Sequence, residues 1–104
     1  MLLLAKSQTN AGDSMRAQIE ATTLAATSKP FRVEATESVG VKAYGLAGAE
    51  TVKIQVDRGD GNFQDILDAS GTLTATAYQS SITASGTYRL VKTATAAASG
   101  ASAG

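Results

Sequence analysis

The chain has 104 residues, with no histidine and no cysteine, and its nine basic and nine acidic side chains cancel. That length suits one domain. Without imidazole or thiol there is no His-based triad, no thiolate nucleophile, no zinc constellation and no disulfide framework, and the interspersed charge forms no basic stripe to follow a phosphate backbone, so nucleic acid is not an expected partner.

The first six residues, Met1-Leu2-Leu3-Leu4-Ala5-Lys6, have too short an apolar run for a secretory leader and no basic region before it. No apolar stretch approaches the ~20 residues that cross a bilayer, so a soluble chain without a membrane partner is expected. Residues 1–29 are dominated by Thr, Ala, Ser, Gln and Asn. Asp13 or Ser14 offers a cap for a short helix carrying Met15 and Ile19 on one face, whereas Thr22 and Thr23 favour extended chain. The segment is expected to be an extended N-terminal arm, ordered against another subunit, with Leu2, Leu3, Leu4, Met15, Ile19 and Leu24 as candidate assembly contacts.

The second expected unit, residues 30–104, is a β-domain. Pro30 precedes a strand over 31–35, a position where proline is tolerated. Strands are expected at 39–44 and 51–57, where apolar and polar residues alternate with the two-residue period of a half-buried strand. Arg58-Gly59-Asp60-Gly61-Asn62 reads as a hairpin turn. Further strands are expected at 63–67, 72–77, 80–84 and 87–92, the last two paired around Ser85-Gly86. The tail from Thr93 is nearly all Ala, Ser and Gly, and either hangs free or forms a last strand of small residues against a close neighbour.

Such spacing predicts an all-β fold, a small antiparallel β-sandwich or barrel, immunoglobulin-like, of about 7–8 strands. Its expected core is thin: Phe31, Val33, Val39, Val41, Val52, Ile54, Val56, Phe63, Ile66, Leu67, Leu73, Ile82, Tyr88 and Leu90. Roughly half of the chain is Ala, Gly, Ser or Thr. A small domain with short side chains has little apolar surface to bury, so neighbouring subunits are expected to contribute stability.

Three groups of residues invite a chemical reading. Asp57, Asp60, Asn62, Asp65 and Asp68 surround the central turn, but their spacing departs from the alternating pattern of a calcium loop, and turn-making accounts for them. Arg58, Gly59 and Asp60 spell a tripeptide used in cell adhesion and form a candidate exposed loop; backbone conformation alone also explains the glycines. Tyr88 is expected to bury its ring and send its hydroxyl to backbone. Serines are present, but no base stands at a spacing that would activate one, so no catalytic, metal or cofactor site is expected and the chain is read as non-enzymatic.

Taken together, Gly45-Leu46-Ala47-Gly48-Ala49-Glu50-Thr51-Val52, then Asp60-Gly61-Asn62-Phe63, then Gly86-Thr87-Tyr88-Arg89-Leu90 resemble small all-β virion proteins of tailed bacteriophages. The resemblance spans residues 30–104; Phe63 stands where tryptophan is common. It implies a capsid decoration (cement) or head-fibre-base protein, made in the host cytoplasm and carried on the capsid surface. The implied partners are the major capsid protein or another virion protein, and copies of the chain itself in a homo-oligomer, a trimer being favoured. A tail, neck or fibre component, or an adhesion module using the Arg58 loop, are the alternative readings.

Overall fold

The computed structural model describes residues 15–67 and 69–104. Among them are ten strands in two antiparallel sheets: β1 (Ala17–Thr22), β2 (Ala26–Thr27), β3 (Phe31–Val33), β4 (Val39–Tyr44), β5 (Val52–Asp57), β6 (Phe63–Asp65), β7 (Thr72–Leu73), β8 (Gln79–Ile82), β9 (Gly86–Lys92) and β10 (Ser99–Ala103). The first sheet has the order β1-β10-β4-β8. The second has β9 and β5 at its centre, with β2 and β3 along the outer edge of β9 and β6 and β7 along that of β5.

The alternation read from the sequence is what sorts the side chains. In β4, Val39, Val41 and Ala43 are buried while Gly40, Lys42 and Tyr44 face out. In β9, Tyr88, Leu90 and Lys92 point inward. Val52 and Ile54 of β5 meet them from the next strand. Each large aliphatic buried in this way contributes roughly 1.5–3 kcal/mol.

Two strand pairs behave as single broken staves. Between β2 and β3 the backbone N–H of Ser28 donates to the Leu90 carbonyl at 2.8 Å, and its hydroxyl accepts from the Leu90 N–H at 2.9 Å. One serine thus keeps the ladder satisfied across the break ahead of Pro30. Between β6 and β7, the Ile66 N–H donates to the Ile54 carbonyl at 3.1 Å, and a 3₁₀ turn over Ala69–Gly71 resets the direction. Eight staves therefore make two four-stave sheets.

The sandwich is as expected, but its connectivity is not the immunoglobulin order, in which the sheets read ABED and CFG. After every stave except β5 the chain crosses to the opposite sheet, and the first and last strands lie side by side. That is the jelly-roll order, two Greek keys folded on each other.

Several expectations change with it. Residues 17–27 are not arm: β1 and β2 are integral, and Ala17 and Ile19 lie in the core. The expected strand over 72–77 stops at Leu73, because the Thr74 N–H donates to the Ala77 carbonyl (3.0 Å) while the Thr74 hydroxyl accepts from the Ala77 N–H (2.9 Å), closing a turn. β8 and β9 are not a hairpin; they sit in different sheets. The tail supplies β10, an interior strand. Phe63 faces outward and Leu67 is 91% exposed, so neither belongs to the core.

Candidate functional site

Of the expected contact residues, Leu2, Leu3 and Leu4 lie outside the described residues. Met15 is 41% exposed just before β1, and Leu24 is 69% exposed just after it. Ile19 is buried on the inner face of β1, so it serves this chain's own core rather than a partner. β1 is the end strand of its sheet, and among the described residues its outer edge pairs with no other strand. Met15 and Leu24 therefore flank the two ends of one open sheet edge.

The Arg58, Gly59 and Asp60 loop is where turn chemistry put it, at the tip of the β5–β6 hairpin, the single hairpin among the staves, and all three residues are exposed. Gly59 and Gly61 both have positive φ, 104° and 86°, the conformation that an L side chain resists. Asp57 Oδ1 accepts from the N–H groups of Gly59 (2.8 Å) and Gly61 (3.1 Å), and Asp60 Oδ1 accepts from the Asn62 N–H (3.1 Å). The Asn62 backbone, then its side chain, hold the Asp60 carboxyl below its usual range. Asp65 is engaged by the Gln55 amide at 2.8 Å. The acids of this turn thus serve its backbone and its neighbouring strand, while Asp68 lies outside the described residues.

On the outer face of the second sheet, the Arg89 guanidinium lies 4.3 Å from the centre of the Phe63 ring, and its Nε donates to Gln55 Oε1 at 2.7 Å. Gln55 passes the chain of bonds to Asp65. Phe63 was expected in the core because it is apolar; its register opposite Asp57 puts it on the wet face, where the cation covers it.

One end of the sandwich holds a buried polar group that strand periodicity alone placed inward and that its residue type argued against. Lys92 is 1% exposed, and its Nζ donates to the Thr22 (2.9 Å) and Leu24 (2.7 Å) carbonyls. It pins the turn that presents Leu24. Beside it, Glu50 accepts from the N–H groups of Ala47 and Ala96, both at 2.9 Å, tying the β4–β5 connection to the β9–β10 connection. Those two backbone donors, Ala96 first, lower its carboxyl. The Thr95 and Ser99 hydroxyls, 2.8 Å apart, complete the layer. Lys92 thus points its amine at backbone carbonyls.

Tyr88 lies as anticipated, its hydroxyl donating to the Ala84 carbonyl at 2.7 Å and its phenol raised by burial. The exposed tyrosines were not anticipated. Tyr44, at the end of β4, and Tyr78, just before β8, are 39% and 48% exposed. They border a cleft of about 280 Å³ on one end of the first sheet.

Among the described residues no three His, Cys, Asp or Glu side chains gather as a metal site, and no helix is long and apolar enough to cross a membrane. No protein-family model, no curated protein and no solved structure matches this chain.

Proposed function

We propose that this is a non-enzymatic structural protein of a tailed-bacteriophage virion, a decoration or cement protein that binds the capsid surface through the open edge of β1. The observation that carries the reading is the placement of Met15 and Leu24: two large apolar side chains, exposed at either end of an unpaired strand edge, in a domain whose buried apolar set of fifteen residues includes four alanines. An edge strand offers a row of free backbone donors and acceptors that another chain can pair with. Apolar flanks add burial, and repetition over a symmetric lattice multiplies contacts that are individually weak.

The test is binding of the purified protein to capsids that lack it, followed by co-sedimentation. Wild-type protein is expected to pellet with the particles. Met15→Asp with Leu24→Asp is expected to remain in the supernatant while keeping its wild-type circular dichroism. Undiminished pelleting of the double variant would remove the β1 edge from the reading. Light scattering on the free protein reads the oligomer, for which a trimer is proposed.

A second reading has one observation in its favour, the exposure of Arg58, Gly59 and Asp60 at a hairpin tip. Loss of cell attachment in Asp60→Glu, with particle binding intact, would favour an adhesion module.

A further inference from the structure

We propose that residues 1–14 fold back over the first sheet of their own chain and seat Leu2, Leu3 and Leu4 in the hollow between the edges of β8 and β6. That hollow, about 270 Å³, opens where the two sheets part on the side away from β1. Ile54, Ile66, Ile82 and Tyr88 give it apolar walls, and the exposed Ser81 and Thr83 stand at its mouth. Leu67, the residue after Ile66, is 91% exposed. An apolar occupant is what such walls favour.

The length of chain ahead of Met15, and the place where it enters the domain, name that occupant. Met15 borders a shallow depression with Lys42, Ser102 and Gly104 on the outer face of the first sheet, so the chain enters at that face. From there to Ile82 is the width of the sheet, three strand spacings or about 14 Å. The steps from Leu4 to Met15 span up to about 36 Å when extended, enough to cross the sheet and turn over its edge. The composition is divided accordingly. Ala5 to Ser14 carry no large apolar side chain, whereas Leu2, Leu3 and Leu4 form an apolar group at the far end.

Gly40 marks the route. It faces out from β4, with Ser81 of β8 in register on one side and the Gly104 N–H donating to its carbonyl at 3.0 Å on the other. Its φ is not positive, and an added Cβ would meet only the Gly104 carbonyl oxygen, at 3.9 Å. Nothing among the described residues therefore requires glycine there, in contrast to Gly100. Glycine weakens a strand interior, and its use there marks the close approach of another backbone, which the crossing segment supplies. Ser81 is both the register partner of Gly40 and part of the hollow's lining, so the route leads to the hollow. So placed, the segment covers one open side of the core and leaves the β1 edge free.

The chain has no cysteine, so a nitroxide can be attached at one position of the isotopically labelled full chain through Ala5→Cys or Asn10→Cys. The label at position 5 is expected to broaden the amide signals of Ile66, Ser81, Ile82 and Thr83, and the label at position 10 those of Gly40, Lys42 and Ser102. Residues 24–27, on the outer edge of the second sheet, should keep their intensity. Leu2→Ser with Leu3→Ser and Leu4→Ser should abolish the broadening around Ile82. Spin-labelled protein mixed with isotopically labelled wild type should broaden nothing, because the contact lies within one chain. Gly40→Val should lower the urea midpoint in the wild type and raise it in the triple-serine background, where the segment no longer occupies the space.

Uniform broadening, or broadening around Ile82 that survives the three serines, would overturn the proposal. Broadening in the mixed sample would give the hollow to a second copy instead. An equal rise in midpoint on Gly40→Val in both backgrounds would show that no segment lies over that glycine, and the route would fall.

Discussion

Arg16 and Glu37 show how a single pair fastens the entry to β1. Arg16 Nη1 donates to the Arg32 carbonyl (2.7 Å) and to Glu37 Oε1 (3.0 Å), while Nη2 donates to Glu37 Oε2 at 2.5 Å. The arginine, and after it the Glu34 N–H, hold the Glu37 carboxyl down at about 2. Its proton is therefore bound less tightly in the folded chain than in the unfolded one, so acid favours unfolding. The contribution is whole above about 4.5, the ordinary value, and is lost as pH falls through about 2. Thermal melts between pH 5 and 2 are expected to show a stability loss in the wild type that Glu37→Gln flattens; parallel curves would show that the pair contributes nothing. Lys92 acts at the same scale. Lys92→Ala leaves the Thr22 and Leu24 carbonyls without their donor and opens a cavity, and is expected to cost about 3–5 kcal/mol in urea unfolding. Lys92→Met refills the space and should cost less; the difference between the two variants measures the cavity, and the cost left in Lys92→Met measures the two unpaired carbonyls.

At the scale of elements, β10 carries the greatest consequence. It lies between β1 and β4, so the first sheet has no continuous ladder without it. It is built from Ser, Gly and Ala because its neighbours come close: a Cβ on Gly100 would lie 2.3 Å from the Ile19 carbonyl oxygen and 2.8 Å from the Tyr44 ring. Gly100→Ala is expected to shift β1 or the ring and to destabilise by about 1–3 kcal/mol, the cost of overpacking. A larger residue there should also release Tyr44 from the Ile19 carbonyl, which its ring proton shifts would report. Removing residues 99–104 should abolish cooperative unfolding altogether; a retained sharp transition would contradict the place given to β10.

For the whole molecule, topology governs kinetics. The terminal strands pair with each other, and all staves except one cross between sheets, so most pairing closes long loops before it gains contacts. Folding is expected on the millisecond-to-second scale of β-sandwiches rather than in microseconds, measurable by stopped-flow tyrosine fluorescence. The same arrangement makes one block that carries the open β1 edge in one sheet and the Arg58 hairpin tip at the end of the other.

The legible parts of this fold are those where large aliphatics alternate with polar residues. Val39, Val41, Val52, Ile54 and Leu90 announced their strands and inner faces, because a two-residue period needs contrast between neighbours to be seen. Asp57, Gly59 and Gly61 likewise announced the hairpin tip, since turn chemistry is local. β1 and β10 were obscured because Ala, Ser and Gly carry little contrast, and what makes them strands is the backbone on either side. Phe63 and Leu67 were misplaced because apolar character says nothing about register, and the role of Lys92 was invisible because the carbonyls that receive its amine come from distant residues, Thr22 and Leu24. The places of the exposed tyrosines could not be read at all: Tyr78 is set by the bond from the Ala43 N–H to its carbonyl, and Tyr44 by the pairing of β4 with β10. What the amino-acid sequence by itself determined is the class of structure, all-β, antiparallel and thinly cored, since period and turn chemistry act within a few residues. Which sheet each strand joins, and so which side chains share a surface, was decided by tertiary structure, because hydrogen bonding between strands depends on neighbours in space and not along the chain.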